Sequence, residues 1–177
     1  MQSRKTAFCG VLAALSVVLM LLGSALQVGT YAAPMLAAFL QIPVLEEYGS
    51  RSALLLYTAS AVLALLLVPE TELALFYLLA VGYYPSLRVA LRRVRPAALR
   101  RGLKFLAFNA GAALVYLALF ALVGPAVGRE LLQDGPGMLA LLLALGNVSF
   151  ALYDRALAVL TRCYRTVWRK KVKFFRR

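Results

Sequence analysis

Few residues of this chain are of a type that does chemistry. Its 177 residues include no His, two Cys and seven Asp or Glu. Without His, general acid–base catalysis would fall on those few carboxylates. The sequence has no GxxxxGK[ST] phosphate loop, no HExxH pair and no GxSxG elbow. The two thiols are isolated, so they predict neither a disulfide nor a metal site. We expect no enzymatic activity, no metal and no cofactor.

The acidic residues stand in pairs beside apolar segments. Glu46 and Glu47 follow one such segment, and either could pair with Arg51. Glu70 and Glu72 lie in a turn between two others. The second pair has two interpretations: it attracts a cationic solute, or it is a solvated turn in which Glu72 favours the N-terminus of the next helix.

Polar side chains within apolar segments are the second set of interest. Asn109 and Asn147 lie in segments that we expect to be antiparallel and at similar depth. An amide in hydrocarbon needs a partner, so these two either join helices or contribute to a solute pocket. Most Tyr residues fit interfacial belts, although Tyr31 and Tyr77 could line an outward pocket. The candidate solute or bundle contacts are Tyr31, Glu70, Tyr77, Asn109 and Asn147.

The elements that hold these residues are membrane helices. The chain is 63% hydrophobic and 15% charged, whereas soluble domains have about 45–50% apolar and about 25% charged residues. So short a chain cannot bury this excess, and lipid must solvate much of it. We predict an all-α integral membrane bundle of about six transmembrane helices, with Pro85 kinking or ending the fourth. Their predicted ranges are 6–26, 31–45, 52–68, 73–87, 105–123 and 138–153. Residues 1–153 form the predicted membrane domain, and residues 154–177 form a basic tail.

The basic residues predict the orientation of this bundle. With both termini in the cytoplasm, every one of the 20 Lys and Arg residues except Arg129 falls on the cytoplasmic side, as the positive-inside rule requires. The loop between helices 4 and 5 carries Arg88, Arg92, Arg93, Arg95, Arg100, Arg101 and Lys104. The net charge of +13 therefore indicates contact with the anionic inner leaflet of a cell membrane. We expect no binding of nucleic acid.

The first segment allows a second interpretation. Arg4 and Lys5 precede an apolar run, as in a signal peptide. That run is about 20 residues long, whereas a signal core has about 7–15. We therefore expect helix 1 to be retained as the first span of a multi-pass membrane protein.

The tail is predicted to be an amphipathic helix on the membrane surface. Asp154 and Arg155 are expected to form a local ion pair at its start. Its basic side adds to the predicted lipid or cytoplasmic contact surface, through Arg165, Arg169, Lys170 and Lys171.

Small residues recur along helix 1. They are Ala7, Gly10, Ala13 and Ala14. A small-xxx-small pair such as Gly10 and Ala14 lets two helix backbones approach closely. This face either docks on a partner subunit or packs within the same bundle.

The stretch RKTAFCGVLAALSVVLM, residues 4–20, resembles the first helix of the substrate-binding (S) components of energy-coupling factor transporters. That resemblance implies a six-helix protein that captures a vitamin or metal ion from outside. It also implies that Ala7, Gly10, Ala13 and Ala14 dock on a coupling membrane subunit that works with two ATPases. The strings IPVLEEYGSRSALLLY and GYYPSLR also resemble small uncharacterised bacterial membrane proteins.

Two functions are predicted on this basis. The first is a solute-binding membrane subunit of a multi-subunit, ATP-driven uptake transporter, with no ATPase of its own. The alternative is a non-transporting membrane scaffold that binds anionic lipid and a cytoplasmic partner.

Overall fold

The computed structural model of the protein describes residues 2–26, 30–124 and 135–168. This part of the chain is helical, with short turns and no strand. Seven α-helices and two π-helical turns follow one another: α1 Gln2–Leu26, α2 Ala32–Phe39, α3 Gln41–Leu67, α4 Thr71–Phe76, the first π-helical turn Tyr77–Val81, α5 Tyr84–Leu91, α6 Ala97–Val123, α7 Gly135–Cys163 and the second π-helical turn Tyr164–Trp168.

Five stretches of the described chain are long and apolar enough to cross a membrane. They are Ser3–Leu26, Gln41–Leu67, Thr71–Leu91, Ala97–Val123 and Gly137–Trp168. Gly49 divides the second of these stretches into two helical parts, so the bundle has five to six such helices. The all-helical, multi-pass architecture predicted from the sequence is thus supported.

The stretch Thr71–Leu91 is the centre of the bundle. In its most apolar window 61% of residues are buried, against 33% or fewer in the other four stretches. The carbonyl of Leu79 approaches Gly111 of α6 so closely that a Cβ on this glycine would lie 2.3 Å from the oxygen. The absence of a side chain at Gly111 is what lets α6 contact the central backbone.

The second predicted helix is broken, because of a proline that the sequence-based prediction overlooked. We expected one helix over residues 31–45, but α2 ends at Phe39 and α3 begins at Gln41. Pro43 has no N–H to bond the carbonyl of Phe39 and its ring would clash with that carbonyl in a continuous helix. In the first turn of α3, by contrast, proline costs little.

The connection predicted around residues 46–51 is shorter than expected, because the chain is helical on both sides of Gly49. Gly49 has φ 81° and ψ 175° and separates two helical parts of α3, residues 41–48 and 50–67. Gln41 and Ser60 both contact the Tyr77 hydroxyl, at 3.3 Å and 2.8 Å. Residues on both sides of Gly49 therefore reach the same hydroxyl group. The chain reverses its direction at Gly49, which is the tip of a helical hairpin. Its positive φ is easily adopted only by glycine.

Pro85 interrupts the central stretch, as predicted. It lies in the first turn of α5, after the first π-helical turn. Because Pro85 cannot donate to the carbonyl of Val81, that carbonyl needs another donor. The hydroxyl of Tyr153 supplies it, at 3.3 Å.

The last two long helices begin earlier or end later than predicted. The fifth begins at Ala97, directly after Pro96, rather than at residue 105. The sixth continues past Tyr153 to Cys163 and into the second π-helical turn. The predicted connection at Arg129 and the tail residues Arg169, Lys170 and Lys171 lie outside the described residues.

Candidate functional site

Charged side chains meet at one end of the bundle, around Asp154. Its carboxylate accepts hydrogen bonds from Lys104 Nζ at 2.7 Å and 2.9 Å and from the Tyr84 hydroxyl at 2.7 Å. Arg88 Nε lies 2.8 Å from Oδ1 of the same carboxylate, although its N–H is not directed at that oxygen. We call Tyr84, Arg88, Lys104 and Asp154 the ion-pair cluster.

The ion-pair cluster joins three helices through partly buried charges. Arg88 comes from α5, Lys104 from α6 and Asp154 from α7, and their side chains are 15%, 13% and 25% exposed. Two cations surround one carboxylate, so the cluster is net positive. The expected pair between Asp154 and Arg155 is wrong, since the next residue of a helix points to a different face and Arg155 is exposed.

A second ion pair joins the second π-helical turn to α3. Arg165 donates from Nε and Nη2 to the two oxygens of Glu46, at 2.6 Å and 2.8 Å. The Tyr164 hydroxyl lies 3.5 Å from Oε1 of Glu47. The expected partner of these carboxylates was Arg51, which is exposed beyond the hairpin tip. The structure brings in a residue over a hundred positions away, which no local spacing could indicate.

The basic residues predicted to form one surface therefore fall mainly into two groups, those paired with carboxylates and those exposed. Arg88 and Arg165 are engaged with carboxylates. Arg100 is half-buried. The exposed members in the described chain are Arg92, Arg93, Arg95 and Arg101.

The two predicted membrane amides form a reciprocal pair. Asn109 Nδ2 donates to Asn147 Oδ1 at 2.8 Å, and Asn147 Nδ2 donates to Asn109 Oδ1 at 3.2 Å. Each Nδ2 also donates to the carbonyl four residues earlier, at 2.8 Å. This geometry uses both amides to join α6 and α7, as in the helix-joining interpretation.

Tyr77 belongs to a central polar cluster that the sequence prediction did not identify. Tyr77, a candidate for an outward pocket, is fully buried, and its hydroxyl contacts Ser60 and Gln41. Gln41 also donates to the carbonyl of Gly82 at 2.8 Å. This contact fixes the amide orientation and leaves Gln41 Oε1 buried without a partner among the described residues. The sequence signal for this cluster was Gln41, an uncharged amide inside an apolar segment.

The other predicted solute contacts lie towards the opposite end. Tyr31 is half-exposed, donates to Glu72 Oε1 at 2.5 Å and packs edge-on against Phe76. Partial burial, with a smaller contribution from Glu72, raises the pKa of the Tyr31 hydroxyl above its ordinary value, so it remains a donor. Glu70 lies nearby in the chain, with Oε2 buried and without a partner in the described part. The structure thus does not bring the five predicted contacts to one site. Tyr31 meets Glu72, Tyr77 lies in the central polar cluster, and Asn109 pairs with Asn147.

The small residues of α1 divide between two faces. Ala13 is buried with Val44 and Ala53 of α3. Ala7, Gly10 and Ala14 are exposed, and a Cβ on Gly10 would meet nothing within 4 Å. Packing within the bundle therefore explains Ala13 and leaves the face of Ala7, Gly10 and Ala14 uncovered. We call these three residues the open face of α1.

No group of three or more metal-ligating side chains occurs among the described residues. No protein-family model matches the chain, and no curated protein and no solved structure matches it significantly.

Proposed function

We propose that this chain is a solute-binding membrane subunit of a multi-subunit, ATP-driven uptake transporter. It has no ATPase of its own and works by docking on a partner membrane protein. The observation that carries the proposal is the open face of α1. Gly10 lies there with free space around it, and a stripe without bulky side chains is the surface on which another helix approaches most closely. The resemblance of residues 4–20 to the docking helix of S components supports the same assignment.

In this proposal the two ends of the bundle have different roles. The end with Tyr31, Glu70 and Glu72 faces outward and receives the solute, and its carboxylates favour a cation or a hydrogen-bond donor. The end with the ion-pair cluster faces the cytoplasm, where basic residues are expected. The partner must bind two orientations of the subunit with different affinity, because a partner without such a preference would shift nothing.

A pull-down from the native membrane in mild detergent tests the proposal. We expect a coupling membrane subunit and ATPases to co-purify with the tagged protein. Gly10→Leu and Ala14→Leu should abolish this recovery, since the added side chains hold a partner backbone away. Ala110→Leu and Ala113→Leu are matched controls, because they add the same bulk at exposed positions of α6. Recovery of the protein with lipid alone would contradict the proposal.

The second candidate is a membrane scaffold that binds anionic lipid and a cytoplasmic partner. The observation in its favour is the set of exposed arginines that lie between α5 and α6 and in the first turns of α6. Under this alternative, replacing Arg93, Arg95 and Arg101 by Gln should abolish partner recovery, while Gly10→Leu should leave it unchanged. The transporter proposal expects the opposite ranking of the same variants.

A further inference from the structure

A small cleft beside the ion-pair cluster, with room inside for about one water molecule, combines apolar lining with two guanidinium groups. It lies between α3, α5 and α7. Ile42, Leu45 and Val89 supply apolar lining, whereas Glu46, Arg88 and Arg92 supply the charged lining. Such mixed chemistry suits a ligand that is itself part apolar and part charged.

The charges around this cleft leave it net positive. Its carboxylate, Glu46, already accepts two hydrogen bonds from Arg165. Arg88 shares the carboxylate of Asp154 with Lys104. Arg92 is exposed and makes no ion pair with any described residue. An anion therefore meets one unneutralised guanidinium and a second that is only partly neutralised.

The position of the cleft relates it to the membrane surface. Ile42, Leu45 and Val89 lie within stretches apolar enough to cross the membrane. Arg92 comes directly after Leu91, where the stretch Thr71–Leu91 ends. The cleft thus lies beside the end of an apolar stretch, where the proposed membrane orientation puts the lipid phosphates.

We propose that this cleft binds the headgroup of an anionic phospholipid. Arg92 and Arg88 bind the phosphate, since a guanidinium matches phosphate oxygens through paired N–H groups. The interior of the cleft is too small for an acyl chain, so the headgroup lies at its mouth and the first acyl carbons lie outside, along its apolar edge. A zwitterionic lipid binds less well, because its ammonium group adds a positive charge to a site that is already positive. Basic pockets between transmembrane helices are known places for such headgroups. The site depends on neither candidate function, since the bundle alone forms it.

The test uses the full chain in lipid nanodiscs made of phosphatidylglycerol and phosphatidylcholine. The protein is then extracted into mild detergent, and the retained lipids are counted by native mass spectrometry. We expect the wild type to retain phosphatidylglycerol, and Arg92→Gln to lower the retained amount roughly fivefold. Arg93→Gln is the matched control, because it removes the same charge from the neighbouring exposed position, which does not line the cleft. Equal losses in both variants would show attraction by net charge alone and would overturn the proposal.

A second variant, expected to increase lipid retention, distinguishes a change in lipid binding from a loss of folded protein. Glu46→Gln removes the carboxylate of the cleft and releases Arg165, so it should raise the retention of phosphatidylglycerol. Unchanged or lowered retention in a Glu46→Gln variant that unfolds at the wild-type temperature would contradict the proposal. Inorganic phosphate is added in a separate arm, in nanodiscs of phosphatidylcholine. Binding of phosphate there, lost in Arg92→Gln, would identify a soluble-anion site and overturn the assignment to lipid.

Discussion

Asp154 joins α5, α6 and α7 through its carboxylate. Its carboxylate is the meeting point of Tyr84, Arg88 and Lys104. Each of these groups is partly removed from water, so their charges are screened less than surface charges are. Removing the carboxylate leaves two cations side by side without compensation.

We therefore predict that Asp154→Asn destabilises the bundle by about 2 kcal/mol, less than for a fully buried pair because the side chain is partly exposed. Denaturant unfolding in detergent measures the effect. Arg155→Gln is the control at the next residue, and we expect a change of less than about 0.5 kcal/mol. Equal stability of the two variants would show that the ion-pair cluster contributes nothing.

The amide pair makes a second prediction at the residue scale. Asn109 and Asn147 hydrogen-bond each other in both directions. Replacing either by Leu should cost stability, and replacing both should cost less than the sum. The coupling energy of the double-mutant cycle should be about 0.6–2 kcal/mol. A coupling energy of zero would contradict the role of the pair in joining α6 to α7.

At the scale of elements, prolines and glycines shape the central helices. Pro43 divides the second predicted helix, and Gly49 turns the chain back. Pro85 leaves a carbonyl that Tyr153 satisfies. Gly111 lets α6 reach the first π-helical turn. The packing of α6 therefore depends on backbone contact at one position as well as on its apolar side chains.

Gly111→Ala should destabilise the protein by about 1–3 kcal/mol, because the new methyl group would overlap a backbone carbonyl that cannot easily move. Gly102→Ala on the same helix is the control, since a Cβ there meets nothing within 4 Å. We expect that change to stabilise the helix by about 0.5–1 kcal/mol. Thermal unfolding of both variants in detergent measures the difference, and a stable Gly111→Ala variant would contradict the close approach.

At the scale of the whole molecule, the two ends of the bundle differ in charge. Lys5, which lies over the Tyr48 ring, shares one end with the ion-pair cluster and the Glu46–Arg165 pair. Tyr31 and Glu72 meet away from it. The proposed orientation places the first end in the cytoplasm.

Labelling with a membrane-impermeant thiol reagent tests this orientation. In a background with Cys9→Ser and Cys163→Ser, we expect Arg93→Cys to be labelled only after the cells are opened. Thr71→Cys, an exposed position at the other end, should be labelled in intact cells. The reverse pattern would overturn the proposed topology.

Composition was enough to predict lipid as the solvent of this protein, because the chain has more apolar residues than it can bury. The sequence also located most long helices, and it anticipated the amide pair and the break at Pro85, because these depend on local backbone chemistry or on simple antiparallel alignment. It located the turn between the second and third helices but overestimated its length, because the charged residues around Gly49 remain helical. Here a single positive φ at Gly49 was enough to turn the chain within helical structure.

The pairing of charges and the exposure of small residues, by contrast, depend on how the helices pack together. Glu46 meets Arg165, and Asp154 meets Lys104, across long stretches of sequence. Ala13 is buried, whereas Gly10 is open, although both lie on one helix. Such outcomes depend on the rotation and contacts of neighbouring helices, and composition and spacing along one segment carry no information about them.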